Sequence, residues 1–154
     1  MTQDIFGQDC SLTDAHALDA WNGLQLGVLA HAASTADHLG ALLKAAPDFA
    51  LGQAIRGISL LMLGRSELVP IAHEAHAIAK SAYEGALPRE RKYIDALEAW
   101  LGGKPSRAVA CMEEVLTLYP CDTLAMKLSH GIRFILGDAR GMRASIERVL
   151  PAYT

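Results

Sequence analysis

Apolar side chains recur at intervals of three and four residues along most of this chain, which is the spacing of one face of an α-helix. The pattern is clearest after Pro88, where Tyr93, Leu97 and Trp100 lie on one face. Glycine and proline interrupt it at short intervals, as at Gly103. The pattern predicts short helices joined by tight turns, and it contains no strand signal.

The interrupting residues are themselves periodic. Pro47 precedes Gly64 by 17 positions, and Pro120 precedes Gly137 by the same 17. Gly103 precedes Gly137 by 34 positions, which is the length of a tetratricopeptide repeat, a helix-turn-helix unit. The spacing therefore predicts an all-α fold of tetratricopeptide-type helix-turn-helix repeats, stacked as a right-handed α-solenoid.

About four helix pairs are expected. Their predicted bounds are about 14–30 with 34–46, 49–63 with 66–83, 88–101 with 105–119, and 124–136 with 142–150. Residues 1–12 are predicted to be a loose N-terminal lead-in, and residues 13–154 a single helical-repeat domain.

Composition and charge narrow the class of partner. The chain is 51% hydrophobic but only 6% aromatic, and its net charge of -3 is too balanced for a nucleic-acid or membrane surface. Residues 1–50 carry -5 and residues 121–154 carry +2. Ends of opposite charge suit head-to-tail self-association, or an intramolecular partner that continues the array.

The cysteine content of the chain favours a reducing compartment. Cys10, Cys111 and Cys121 are odd in number and form no CxxC pair, so neither a disulfide framework nor a zinc site is predicted. The start of the chain lacks a basic and apolar leader, and no stretch approaches the roughly 20 apolar residues of a membrane span. A cytoplasmic protein is expected.

The segment Arg89–Trp100, followed at once by a glycine turn, resembles a signature of the tetratricopeptide repeat protein 38 family. The junction 119–125, the segment 130–151 and Pro47–Phe49 are similar to further parts of that family's N-terminal portion. The resemblance implies a helical-repeat scaffold with no defined activity. Members are usually longer, so a fragment, a short homologue, or an array covered by another subunit is expected.

Catalysis is not predicted, and neither is a cofactor. His73 and His76 lie one helical turn apart and could reach one metal ion, but they do not form the HExxH motif. A solvated polar helix face is the competing interpretation. No serine or cysteine has a base and an orienting carboxylate at a recognisable spacing. The alternative function that these histidines suggest is a metal-dependent enzyme or regulator.

The predicted function is protein–protein interaction. The first helices of the pairs commonly line the concave side of such arrays, and an apolar helix or extended peptide is the expected guest. The predicted partner-binding residues are Ile58, Leu61, Tyr93, Leu97, Trp100, Lys127 and Phe134. The competing interpretation places Tyr93 and Trp100 in the helix-pair core. Self-assembly with another copy is the structural alternative.

Overall fold

The computed structural model describes residues 1–154, in which a short hairpin precedes eight α-helices. The helices are α1 Ala15–Ala30, α2 Thr35–Ala45, α3 Ala50–Met62, α4 Val69–Ser81, α5 Pro88–Leu101, α6 Pro105–Leu118, α7 Thr123–Ile135 and α8 Ala139–Val149. Strands β1 Thr2–Gln3 and β2 Asp9–Cys10 pair antiparallel, and 3₁₀ turns cover Ser66–Leu68, Tyr83–Gly85 and Leu150–Tyr153. None of the helices combines the length and the apolar character needed to cross a bilayer.

Neighbouring helices pack in pairs, as the sequence predicts. The most extensive contacts join α1 to α2, α3 to α4 and α5 to α6. The pairs are also linked to one another, chiefly through α6 with α7 and α3 with α5. Helix α8 packs mainly on α7. The all-helical prediction with packed pairs is therefore confirmed.

Each pair turns at one residue in the left-handed region, which gives the four pairs a common register. These residues are His31, Gly64, Gly103 and Gly137, with φ between 52° and 75°. The amide of each donates to the carbonyl three residues earlier, so the four turns are equivalent. Glycine adopts this conformation without steric cost, and the sequence predicts three of the turns correctly. The first turn uses His31 instead, which no glycine signal marks.

Local side-chain chemistry fixes where several helices start. The carboxylates of Asp14, Asp122 and Asp138 accept from backbone amides in the first turns of α1, α7 and α8. Pro88 and Pro105 occupy the first turns of α5 and α6, where a missing amide proton costs least. Each of these residues acts within three positions of the helix start, so the sequence is sufficient to predict where these helices begin.

The core is one cluster of 29 buried residues that runs through successive pairs. Small residues let the helices approach closely, with Ala96 of α5 and Ala108 of α6 fully buried. Trp21 of α1 packs edge-on against Phe49, with ring centroids 5.5 Å apart. This contact joins the first pair to the start of the second.

Residues 1–12 are not a loose lead-in, and the prediction of no strand is wrong here. Cys10 and Leu12 are buried in the core. Nη2 of Arg89 donates to the Asp9 carbonyl at 2.9 Å, and the Ser11 amide donates to the Glu90 carboxylate at 2.8 Å. Because these partners lie about 80 residues away, local periodicity cannot indicate them.

Candidate functional site

Three of the seven predicted partner-binding residues are buried. Ile58 is 1% exposed, and Tyr93 and Leu97 are completely covered. Helices α3 and α5 approach so closely that a Cβ atom added to Gly57 would lie 2.5 Å from Cδ2 of Leu97. The prediction that Ile58, Tyr93 and Leu97 line an open groove is therefore corrected, because these side chains hold the fold together.

The other four predicted residues differ in how accessible they are. Leu61 and Trp100 are partly buried against the core. Nζ of Lys127 lies 2.7 Å from Nε2 of His31, so α7 contacts the end of α1. Phe134, at the end of α7, is 76% exposed. Phe134 is the member of the predicted set most accessible to a partner.

A buried polar cluster fills the space beside Tyr93. Nη1 of Arg89 donates to Asp122 at 2.8 Å, and the Tyr93 hydroxyl donates to the same carboxylate at 2.8 Å. Asp4 lies 3.7 Å from Arg89 and accepts from the side chains of Trp21 and Gln25. The cluster links the hairpin to three helices, and it is absent from the sequence predictions.

Burial and nearby charges shift the pKa values of two residues in this cluster, Arg89 and Tyr93. Burial acts to lower the pKa of Arg89, but Asp122, Tyr93 and Asp4 together outweigh burial and hold the pKa above its usual value. Burial, reinforced by Asp122, raises the pKa of Tyr93 well above its usual value. Arg89 is therefore a fixed cation and Tyr93 a fixed hydrogen-bond donor. Neither is a general base at neutral pH.

The structure does not assemble a metal site at the candidate histidines. His73 is exposed, and Nε2 of partly buried His76 lies 3.9 Å from the Glu98 carboxylate. Burial lowers the pKa of His76, although Glu98 opposes this shift. Nowhere in the chain are three or more histidine, cysteine, aspartate or glutamate side chains arranged to hold a metal ion.

Neither the two buried cysteines nor the surface cavity beside the end of α2 offers a reactive centre. Burial raises the pKa of Cys10 and Cys111, which favours the thiol over the nucleophilic thiolate. A cavity of about 460 Å³ lies among residues 11–14, 45–50 and 82–86. Its lining includes no histidine, cysteine, lysine or arginine.

One side of α8 exposes apolar residues whose equivalents in α6 are buried. Adding 34 to the numbers in α6 gives the equivalent positions in and after α8, because Gly103 and Gly137 occupy the same turn position. Met112 and Leu116 of α6 are 0% and 2% exposed. Their equivalents Ile146 and Leu150 are 45% and 54% exposed, because α6 packs between two helices and α8 mainly on one.

We call this surface the α8 face and define it by Ile146 and Leu150, which lie one helical turn apart and are each about half exposed. The four-residue spacing of Ile146 and Leu150 indicates an apolar stripe, but the exposure of that stripe is seen only in the structure. The sequence feature that points to this surface is the correspondence of Ile146 and Leu150 with Met112 and Leu116 of α6, 34 residues earlier.

Exposed arginines lie along α8, and one glutamate holds the helix in place. Arg143 is one helical turn from Ile146 and lies beside the α8 face. Arg148 is two positions from both Ile146 and Leu150 and faces away from it. Arg140 is also exposed. Glu113 of α6 accepts from Ser129 of α7 at 2.7 Å and from Ser145 of α8 at 2.8 Å. It also pairs with Arg133 at 3.3 Å and with Arg148. Helix α8 is thus positioned largely through polar contacts.

No protein-family model matches this chain, and no solved structure matches it.

Proposed function

We propose that this chain is a protein-interaction module of the tetratricopeptide type, and that it binds an apolar helix on the α8 face. The exposure of Ile146 and Leu150, at positions equivalent to the buried Met112 and Leu116, carries this proposal. The 34-residue spacing and the resemblance to the tetratricopeptide repeat protein 38 family support the repeat assignment.

The guest helix takes the place on α8 that α7 takes on α6. Helix-on-helix packing in a repeat array buries a continuous apolar core between successive units. Burying a fully exposed isoleucine or leucine contributes about 1.5–3 kcal/mol, so the half-exposed pair on α8 supplies about half of that per residue. A guest with apolar residues at helical spacing meets this requirement.

The arginines beside the face select among such guests. Arg140 and Arg143 are exposed, and Arg143 forms an ion pair with Glu147 at 2.7 Å. Charges at the rim of an interface mainly set association rate and specificity. The preferred guest therefore carries acidic residues beside its apolar stripe. Phe134 and Lys127, which lie on one side of α7, form a second contact region for a guest that reaches across the array.

Fluorescence anisotropy with a labelled synthetic helix tests the proposal. The probe carries leucines at helical spacing and glutamates on its flanks, and a second probe replaces the glutamates with lysines. The acidic probe should bind the native chain more tightly than the basic probe does. The double variant Ile146→Glu, Leu150→Glu should lose binding while its circular dichroism stays helical.

Ile71→Glu is the matched control, because Ile71 is an apolar residue of α4 that is 37% exposed and lies far from α8 in sequence. Its binding should equal that of the native chain. Unchanged probe binding by the α8 double variant would contradict the proposed surface. Equal loss in the Ile71 variant would show that the binding is nonspecific.

A further inference from the structure

The first helix also has a face without a packing partner. His31 and Gly64 occupy the same turn position, so Asp19 of α1 is equivalent to Gly52 of α3, 33 residues later. A Cβ atom on Gly52 would lie 3.1 Å from Leu42, which shows that this side of α3 packs on the preceding α2. In α1 the same side is open to solvent.

We call this open side the α1 face and define it by Asp19 and Leu26. The two residues are seven positions apart, which places them on one side of the helix. Asp19 is exposed and Leu26 is 46% exposed. Ile5 lies close by, since its amide donates to the side chain of Asn22 at 2.9 Å, and it is 51% exposed. The α1 face therefore has both apolar area and negative charge.

The two open faces belong to helix pairs of opposite charge. Residues 13–48 hold four aspartates and one lysine, which gives a net charge of -3. None of these aspartates forms an ion pair within the chain. Residues 123–153 hold five basic and two acidic side chains, which gives +3. The first and last pairs are thus complementary in charge as well as in packing.

We propose that the α1 face of a second copy of this chain occupies the α8 face, so that copies stack head to tail. This inference rests on the proposed function, because it names the partner that the α8 face takes. The joint repeats the contact that the chain already makes between α6 and α7. Leu26 packs against Ile146 and Leu150, while Asp19 lies near Arg140 and Arg143, and Asp37 of α2 adds to the negative charge of the same helix pair.

The expected assembly is open-ended and reversible. Joining two different faces is a heterologous contact, which extends into a chain or closes into a ring. One helix-on-helix joint covers less surface than the roughly 800 Å² per partner of a standard stable interface. Exposed charges are screened over about 8 Å at physiological salt. The mass should therefore rise with protein concentration and fall when salt is added.

A charge exchange between the two faces tests the joint. The head variant is Asp19→Lys, Asp37→Lys, and the tail variant is Arg140→Glu, Arg143→Glu. All four side chains are exposed, so both variants should keep the helical circular dichroism of the native chain. Light scattering is measured between about 1 µM and about 1 mM. The native chain should grow in mass, and each variant alone should stay at 16.5 kDa.

An equimolar mixture of the two variants should recover the mass increase, because each reversed face then meets its opposite. Glu74→Lys, an exposed change on α4, is the matched control and should assemble as the native chain does. A native chain that stays monomeric throughout would overturn the inference. So would a mixture that stays monomeric, or a dimer that neither variant alters.

The failure of this inference can be told apart from the failure of the proposed function. A monomeric native chain that still binds the acidic probe helix through Ile146 and Leu150 keeps the proposed function and excludes the second copy as partner. A native chain that assembles while Ile146→Glu, Leu150→Glu assembles equally well excludes the α8 face from the joint, and probe binding then decides the proposed function on its own.

Discussion

Arg89 of α5 and Asp122, which caps α7, form a buried ion pair with Nη1 2.8 Å from Oδ2. Their side chains are 3% and 1% exposed. The same carboxylate accepts from Tyr93 and from the Ala125 amide, while Arg89 also binds the hairpin through the Asp9 carbonyl. One side-chain pair thus joins the third helix pair to the fourth and secures the N-terminal segment.

Asp122→Asn should lower the free energy of unfolding by about 3–5 kcal/mol. The change removes the nearer of the two carboxylates that balance buried Arg89 and breaks its direct ion pair, and breaking a buried pair is costly. Urea denaturation followed by circular dichroism measures the effect. Glu114→Gln is the control, since the Lys92–Glu114 pair is about 40% exposed and should contribute less than about 1 kcal/mol. Equal losses in the two variants would contradict the structural role of the buried pair.

Tyr93 should resist ionisation until the protein unfolds. Burial and the Asp122 charge raise its pKa well above the usual value, so the folded state excludes the tyrosinate. The raised pKa of Tyr93 stabilises the folded state in full below about pH 10, the pKa of tyrosine in the unfolded chain. This stabilisation is lost as the pH rises further. Ultraviolet absorbance during alkaline titration should show one late step that coincides with unfolding. Tyr93→Phe should remove that step, and its persistence would assign it to another tyrosine.

Stability should also decrease on mild acidification because of His76 and His130. Burial lowers the pKa of each, and the positive charges of Arg133 and Lys127 add to this effect at His130. The unfolded state therefore binds protons first, so stability is lost as pH falls from about 6.5 through the lower folded values. Urea midpoints measured from pH 7.5 to pH 5 should show a smaller decrease for His130→Asn. The same substitution at exposed His16 is the control, and an equal reduction there would refute the assignment.

Gly57→Ala should destabilise the fold although alanine favours helix. The added Cβ would lie 2.5 Å from Leu97, and overpacking of this kind costs about 1–3 kcal/mol. Gly40→Ala is the matched helical control, because no heavy atom lies within 4 Å of its added Cβ. That variant should gain up to about 1 kcal/mol. Thermal unfolding distinguishes the two, and a stabilised Gly57 variant would mean that α3 and α5 are less tightly packed.

Glu113→Gln should loosen α8 before the rest of the protein. The substitution weakens the contacts of Glu113 with Arg133 and Arg148, which lie on α7 and α8. Because α8 packs mainly on α7, its amides should exchange hydrogen faster while those of α3 and α5 stay protected. Glu147→Gln, which affects only the exposed Arg143 pair, is the control. Uniformly faster exchange would indicate global rather than local opening.

The helices and most of their turns follow from the sequence because their causes are local. Apolar spacing, aspartate caps and first-turn prolines act within a few residues, and glycine supplies the left-handed turn at positions 64, 103 and 137. His31 shows the limit of this reasoning, because the same turn occurs there without a glycine.

Tertiary structure decided which of these helix faces are open. Trp100 and Phe134 are equivalent at 34 residues, but Trp100 packs against the core and Phe134 is 76% exposed. The Arg89 cluster likewise joins residues that are 33 and 80 positions apart. Periodicity reports which side of a helix is apolar, but the burial of that side depends on neighbours from distant parts of the chain. The sequence therefore determined the helix pairs, and their packing determined which apolar surfaces stay exposed.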